Sequence, residues 1–159
     1  MKKLLLAASA CALMGGASYA EDVKIGILIG FTGPIESLTG HMANAAEAAM
    51  AEVNASGKAK NNYIPVRGDD TCTDAAAATA AAERAVTAEG VKGIIGGDCS
   101  GVTRAMLTNV AMPNGIVMIS PSATSPALTA DPDNGLFFRT APSDAREGEV
   151  MGQILAEKG

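Results

Sequence analysis

Aromatic residues are nearly missing from this chain, which has two tyrosines, three phenylalanines and no tryptophan in 159 residues. Proteins that stack nucleic-acid bases need a row of such rings, so that class is excluded first. Positive charge is also scarce. Twelve lysines and arginines stand against 17 acidic residues, and no basic cluster forms along the chain. A nucleic-acid backbone or an anionic membrane surface finds no counter-charge here. There is one histidine, His41; a lone imidazole cannot build a zinc site, and it reads as a surface residue. Glycine-rich cofactor motifs are absent as well. Gly96-Gly97-Asp98-Cys99-Ser100-Gly101 has the spacing of neither the dinucleotide fingerprint nor the P-loop, and Gly97-Asp98-Cys99-Ser100-Gly101 is not a GxSxG elbow. No cofactor and no metal are expected. A secreted hydrolase would need a nucleophile with a base in reach, and the sequence offers no such pairing.

Long hydrophobic runs are absent except at the start. Residues 4–17 form an apolar stretch behind Lys2 and Lys3, and Ser18-Tyr19-Ala20 places small residues after it. Positive start, short apolar core and small-residue site make the pattern of a cleavable secretory signal, with cleavage after Ala20. The stretch is short for a membrane span. An uncleaved anchor is the alternative; a lipoprotein reading on Cys11 would leave only residues 4–10 as the apolar core. The expected location is the periplasm. About 139 residues then remain, enough for one domain with a proper core. Without Lys2 and Lys3, ten basic residues face 17 acidic ones, a net charge near −7.

Cysteine is scarce too. After cleavage only Cys72 and Cys99 are left. In an oxidising compartment an even pair reads as a disulfide; two free thiols or a nucleophilic cysteine is the alternative.

What the sequence does contain is an alternation of strand and helix signals. Residues 23–29 are β-branched and mostly apolar, as in a strand covered on both faces. Met42, Ala45, Ala46, Ala49, Met50 and Val53 recur at helical spacing, with Gly57 at the expected C-terminal cap. A second strand follows over 63–67. A helix capped by Thr73 or Asp74 then runs to about Glu89 and ends at Gly90. Its polyalanine tract suits a helix lying close against a sheet. Strands over 93–95, 116–119 and 136–139 alternate with a helix from about Gly101, and Ser143 or Asp144 can cap a last helix carrying Val150, Met151, Ile154 and Leu155 on one face. This order predicts an α/β fold with a doubly wound, mainly parallel sheet. The chain stops at Gly159 without a closing strand, which reads as a truncated sequence.

In such sheets ligands bind beyond the C-terminal ends of the strands. Three loops are expected there, over 31–39, 96–101 and 120–125, and the last two are rich in hydroxyls and small residues. Ser100 stands just before a helix, so its hydroxyl and the free N–H groups behind it suit a carboxylate; equally, Ser100 caps its own helix. Ser122 and Thr124 add hydroxyls and backbone groups, and Thr124 also fits a turn. Asp69 and Asp70 at a strand end read as solvated loop acids.

Gly30-Phe31-Thr32-Gly33-Pro34, Gly68-Asp69-Asp70-Thr71-Cys72, Gly96-Gly97-Asp98-Cys99-Ser100, residues 118–126 and Phe138-Arg139-Thr140-Ala141-Pro142, in this order, resemble the periplasmic binding proteins for branched-chain amino acids. The resemblance covers residues 22–159. It implies a type I periplasmic binding fold with two lobes closing over a ligand, and a disulfide between Cys72 and Cys99. It maps ligand contacts onto Ser100, Ser122 through its backbone, Ala123 and Thr124, and places an acidic partner for the ammonium in the second lobe. With residues 1–20 read as the signal, it implies 22–141 as the first, incomplete lobe and 142–159 as the start of the second. The implied partners are an amino acid or related ligand and the inner-membrane permease of an ATP-driven importer, and the whole protein is expected to be a monomer. One departure stands out. The loop over 35–40 looks one residue longer than the family's and lacks its aromatic residue. A sensor of the same fold for amides, urea or another small metabolite is the second reading.

Overall fold

A computed structural model describes residues 20–159. The export signal expected over residues 1–20 falls outside the described residues, apart from Ala20.

Five strands make one parallel sheet: β1 (Asp22–Ile29), β2 (Asn62–Asp69), β3 (Gly93–Gly96), β4 (Val117–Ser120) and β5 (Phe137–Arg139). Their spatial order is β2-β1-β3-β4-β5. The helices are α1 (Glu36–Ala55), α2 (Ala75–Arg84), α3 (Ser100–Met106), α4 (Met112–Asn114), α5 (Ala127–Ala130) and α6 (Asp144–Lys158), with π-type turns extending α2 over Ala85–Glu89 and α3 over Leu107–Ala111.

The order explains the layering. From β1 the chain steps one way to β2, then reverses to reach β3 and β4. Parallel crossovers keep one hand, so a reversal of direction puts helices on opposite faces. Accordingly, Ile27 and Ile29 of β1 pack with Ala43 and Met50 of α1, while Leu28 faces Ala78, Ala82, Val102 and Met106 of α2 and α3. The doubly wound architecture follows directly.

Local signals behave as their chemistry requires. Asp74 caps α2, its Oδ1 accepting from the N–H groups of Ala76 and Ala77 at 2.8 and 3.0 Å. The polyalanine tract buries Ala78, Ala81 and Ala82, and small side chains let the helix settle onto the sheet. Gly90 ends the segment in the left-handed region at φ 74°, where glycine alone pays no Cβ penalty. Ser143 caps α6, accepting from Ala145 N–H.

Cover on both faces holds for β1, where Ile27, Leu28 and Ile29 are buried, but not across the sheet: Val117, Ile119 and Phe138 are exposed. These residues alternate with buried Met118 and Phe137, so they lie on the α1 side of the sheet. Five strands spaced about 4.8 Å apart span about 19 Å, and a helix about 10 Å wide shields half of that. Among the described residues α1 covers β1 and β2 but not β4 and β5.

Candidate functional site

Reversal of direction at β1 makes the C-terminal ends of the neighbouring strands β1 and β3 a switch point, where sheets of this kind form their ligand crevice. Three loops border it: 30–35 after β1, 97–99 after β3 and 121–126 after β4. The structure thus gathers Ser100, Ser122, Ala123 and Thr124 on two adjacent loops.

Each of these residues is held differently. Ser100 occupies the first turn of α3, and its hydroxyl does not cap that helix. Its Oγ instead accepts from Ser125 N–H at 3.1 Å, which ties the two hydroxyl loops together and leaves its own O–H available to donate. Ser122 Oγ donates to Asp98 O at 2.9 Å. Ala123 is buried; its N–H donates to Ser120 Oγ at 2.9 Å and its carbonyl accepts from Arg139. Thr124 is half-buried, its carbonyl accepts from Asp144 N–H at 3.0 Å, and its hydroxyl has no partner among the described residues. Ser125 Oγ accepts from Ala127 N–H at 3.3 Å.

Beneath these loops lies a polar layer that the sequence reading missed. Asp70 and Asp98, with relative exposures of 0% and 3%, and the buried Ser120 all belong to it. Asp70 is therefore not a solvated loop acid, which corrects the expectation. The reason is periodicity: Gly68 and Asp70 of the second strand segment, Ile94, Gly96 and Asp98 of the third, and Ile116, Met118 and Ser120 of the fourth are all buried on alternate positions. Carrying the two-residue period past the strand ends would have found all three.

The layer is densely bonded. Asp98 accepts from Gly30 N–H at 2.8 Å and from Cys99 N–H at 2.7 Å. Asp70 Oδ1 accepts from Cys72 N–H at 2.9 Å, and Ser120 Oγ donates to Gly97 O. Gly97 must lack a side chain, since a Cβ there would come within 2.9 Å of both Asp70 Oδ2 and Thr103 Oγ1. Burial pushes the Asp70 carboxyl up to about 7; the Cys72 N–H opposes this, and the nearby Asp98 charge reinforces it. Asp69 goes the other way. Burial alone would raise it, but Thr32 and the N–H groups of Thr71 and Thr32 hold it below the ordinary carboxylate value.

Cys72 and Cys99 form the expected disulfide, with Cα atoms 5.1 Å apart. It joins the loop after β2 to the loop after β3 across β1. Thr71 and Cys72 both sit in the left-handed region, at φ 59° and 65°. The carboxylates of Asp69 and Asp70 reach two residues forward to their N–H groups, the local bonding that makes such a turn tolerable. Cys72, Asp98 and Cys99 cluster closely enough for a metal, but both sulfurs are committed to the disulfide and only one carboxylate remains.

Chemically, the crevice presents hydroxyls and backbone groups on its β3–β4 side, over a layer whose acids are turned inward. No helix among the described residues is long and apolar enough to cross a membrane.

Comparisons with known proteins agree with this architecture. The Leu/Ile/Val-binding protein of Escherichia coli strain K12 is 34% identical over 157 residues, which cover 98% of this chain. The chain spans only 42% of that relative's length. The branched-chain amino acid transporter substrate binding protein of Streptococcus pneumoniae, solved in complex with isoleucine, superposes with a TM-score of 0.70 at 28% identity, over 78% of this chain and 35% of that one. A solute binding protein of an ABC transporter from Rhodopseudomonas palustris, solved with 3,4-dihydroxy benzoic acid, shares the fold at a TM-score of 0.72 and 18% identity, over 87% and 37% of the two chains. A family model described as periplasmic binding protein matches residues 22–159. With that match over nearly its whole length, the chain belongs to the periplasmic binding protein family.

Proposed function

We propose that this chain forms the first lobe of a periplasmic substrate-binding protein that holds an amino acid by its zwitterionic head and delivers it to the permease of an ATP-driven importer. Residues 22–141 make the lobe and 142–159 begin the second. Residues 1–20 direct export and are cleaved after Ala20. The protein works as a monomer and performs no bond-making chemistry.

The observation that carries this reading is the pairing of the two hydroxyl loops through Ser100 and Ser125, with the Thr124 hydroxyl left unbonded beside them. Ser100 and Thr124 then donate to the ligand carboxylate. The Ser122 carbonyl serves the ammonium, and Ala123 forms the wall that its hydrogen bonds to Ser120 and Arg139 hold in place. Uncharged donors for the carboxylate and a carbonyl acceptor for the ammonium suit a zwitterion, because they bind its two charges without adding a net charge to desolvate. The relatives support the class, since the Streptococcus pneumoniae protein holds isoleucine.

A carboxylate alone would also satisfy the Ser100 and Thr124 donors, and the Rhodopseudomonas palustris protein holds an aromatic acid in the same fold. Calorimetric titration of the full-length protein with the common amino acids, their amides, urea and 3,4-dihydroxybenzoate separates the readings. Saturable binding of one or more α-amino acids is expected. Binding of the benzoate, urea or simple amides alone would replace the amino-acid reading, and silence across the panel would end it.

A further inference from the structure

The polar layer under the loops holds more negative charge than it can keep. Asp70 and Asp98 face one another in a part of the molecule closed to water. Their donors are all backbone N–H groups: Cys72 to Asp70 Oδ1, with the Asp98 N–H also turned toward the Asp70 carboxyl and lowering it, and Gly30 and Cys99 to Asp98. Asp70 Oδ2 is buried and has no hydrogen-bond partner among the described residues. A Cβ on Gly97 would come within 2.9 Å of this oxygen, Thr103 Oγ1 and Met106 Cε alike, and the Thr103 hydroxyl already donates to Cys99 O.

Among the described residues nothing around the pair supplies a cation. The loop after β1 contributes Gly30, whose carbonyl is taken by Thr39 Oγ1. The loop after β2 contributes Asp69, which is turned outward to Thr32 and Thr71, and the non-titrating Cys72. From α3 come Thr103 and Met106, and from β4 comes Ser120, committed to Gly97 O. The guanidinium groups nearby in sequence are engaged elsewhere: Arg67 with Glu47, Arg104 with Asp131, and Arg139 with the Ala123 and Ser125 carbonyls. Two unpaired carboxylates in a dry site repel each other and forfeit their hydration, and a single proton removes both costs. Within the pair, the oxygen without a donor among the described residues, Asp70 Oδ2, marks where that proton belongs.

We propose that Asp70 and Asp98 hold one proton between them, carried on Asp70 Oδ2 and donated to the Asp98 carboxylate, so that an acid–carboxylate hydrogen bond latches together the three loops at the mouth of the sheet. A bond of this type is among the stronger ones, because its acceptor is ionised. Through it the loop after β2 is tied to Asp98, and Asp98 already grips the loop after β1 and the start of α3. The upward displacement of the Asp70 carboxyl, caused first by burial, agrees with this geometry. The latch is independent of which ligand the crevice takes.

Its signature is a stability that falls as pH rises. Asp70 stays protonated in the folded protein after its unfolded counterpart has ionised, so its contribution is complete below the unfolded carboxyl range and disappears as pH climbs through about 7. Urea unfolding of the full-length protein between about pH 5 and about pH 8.5 reads this directly, and one proton changes the folding constant by up to about tenfold per pH unit. Asp70→Asn carries an amide N–H where the proton would sit. It should match the parent near pH 5, exceed it above neutrality and flatten the slope. Asp98→Asn should be weaker at both ends, because its amide would confront the N–H of Gly30 or Cys99. Infrared spectroscopy of the parent provides a second readout that needs no variant: a buried protonated carboxyl band present near pH 6 and lost above neutrality. Equal pH slopes in the parent and Asp70→Asn, or no protonated carboxyl band near pH 6, would overturn the proposal.

Discussion

Arg139 donates from Nη1 to the carbonyl oxygens of Ala123 and Ser125, at 3.1 and 3.0 Å, and from Nη2 to Thr129 Oγ1 at 2.6 Å. One side chain on β5 thereby fixes the loop that carries Thr124 from below. Arg139→Met would strand two carbonyls, at a cost of about 1–3 kcal/mol, and Arg139→Lys would recover only part of it, because an ammonium lacks the planar fork. Thermal unfolding and ligand titration of the full-length protein should show Met worse than Lys, and both worse than the parent in affinity. Equal affinity in all three would mean that the loop holds its shape unaided. At this scale the sequence was partly legible. The hydroxyls of Ser100, Ser122 and Thr124 advertise themselves by type and loop position. Arg139 does not, because its partners are backbone carbonyls, which no residue pattern reveals. Asp70 was misread because two adjacent acids look like a solvated turn, although the two-residue period assigns one of them to the interior.

Between elements, the Cys72–Cys99 disulfide spans 27 residues of sequence and closes α2 into a loop. On the chain-entropy estimate such a closure stabilises by about 3–4 kcal/mol. Replacing both cysteines by serine, measured by urea unfolding against the oxidised parent, should lower stability by about that amount; a loss well under 1 kcal/mol would show that the hydrogen bonds of the layer hold these loops without it. The helices were the most legible elements. Asp74, Gly90 and Ser143 act through bonds to neighbouring N–H groups or through a left-handed φ, and such local physics is written in the sequence. α3 was less so. Ser100 looked like its cap, but Cys99 holds that position and Ser100 turns to the next loop. That choice depends on where β4 lies, and a single segment does not contain it.

Over the whole molecule, the doubly wound, mainly parallel α/β class was legible, because alternating apolar strands and amphipathic helices permit few architectures. The uncovered face was not. Val117, Ile119 and Phe138 look like core residues in sequence and stand exposed beside buried Met118 and Phe137, because one helix cannot shield the width of five strands. The apolar side of α6, with Leu155 at 64% exposure, is likewise open. The chain spans 42% of the length of its Escherichia coli relative, so a pocket formed between two lobes is a property to be measured on the full-length protein. The proposed account stands on hydroxyl groups of this lobe, not fixed charges, gripping the ligand carboxylate. Thr124→Val tests it most directly, because it removes a hydroxyl that bonds to nothing else among the described residues while nearly preserving shape. In titrations of full-length protein with isoleucine, this substitution should weaken binding about tenfold or more, the loss expected for a hydrogen bond to a charged group, with the unfolding midpoint unmoved. Affinity equal to that of the parent would contradict the account.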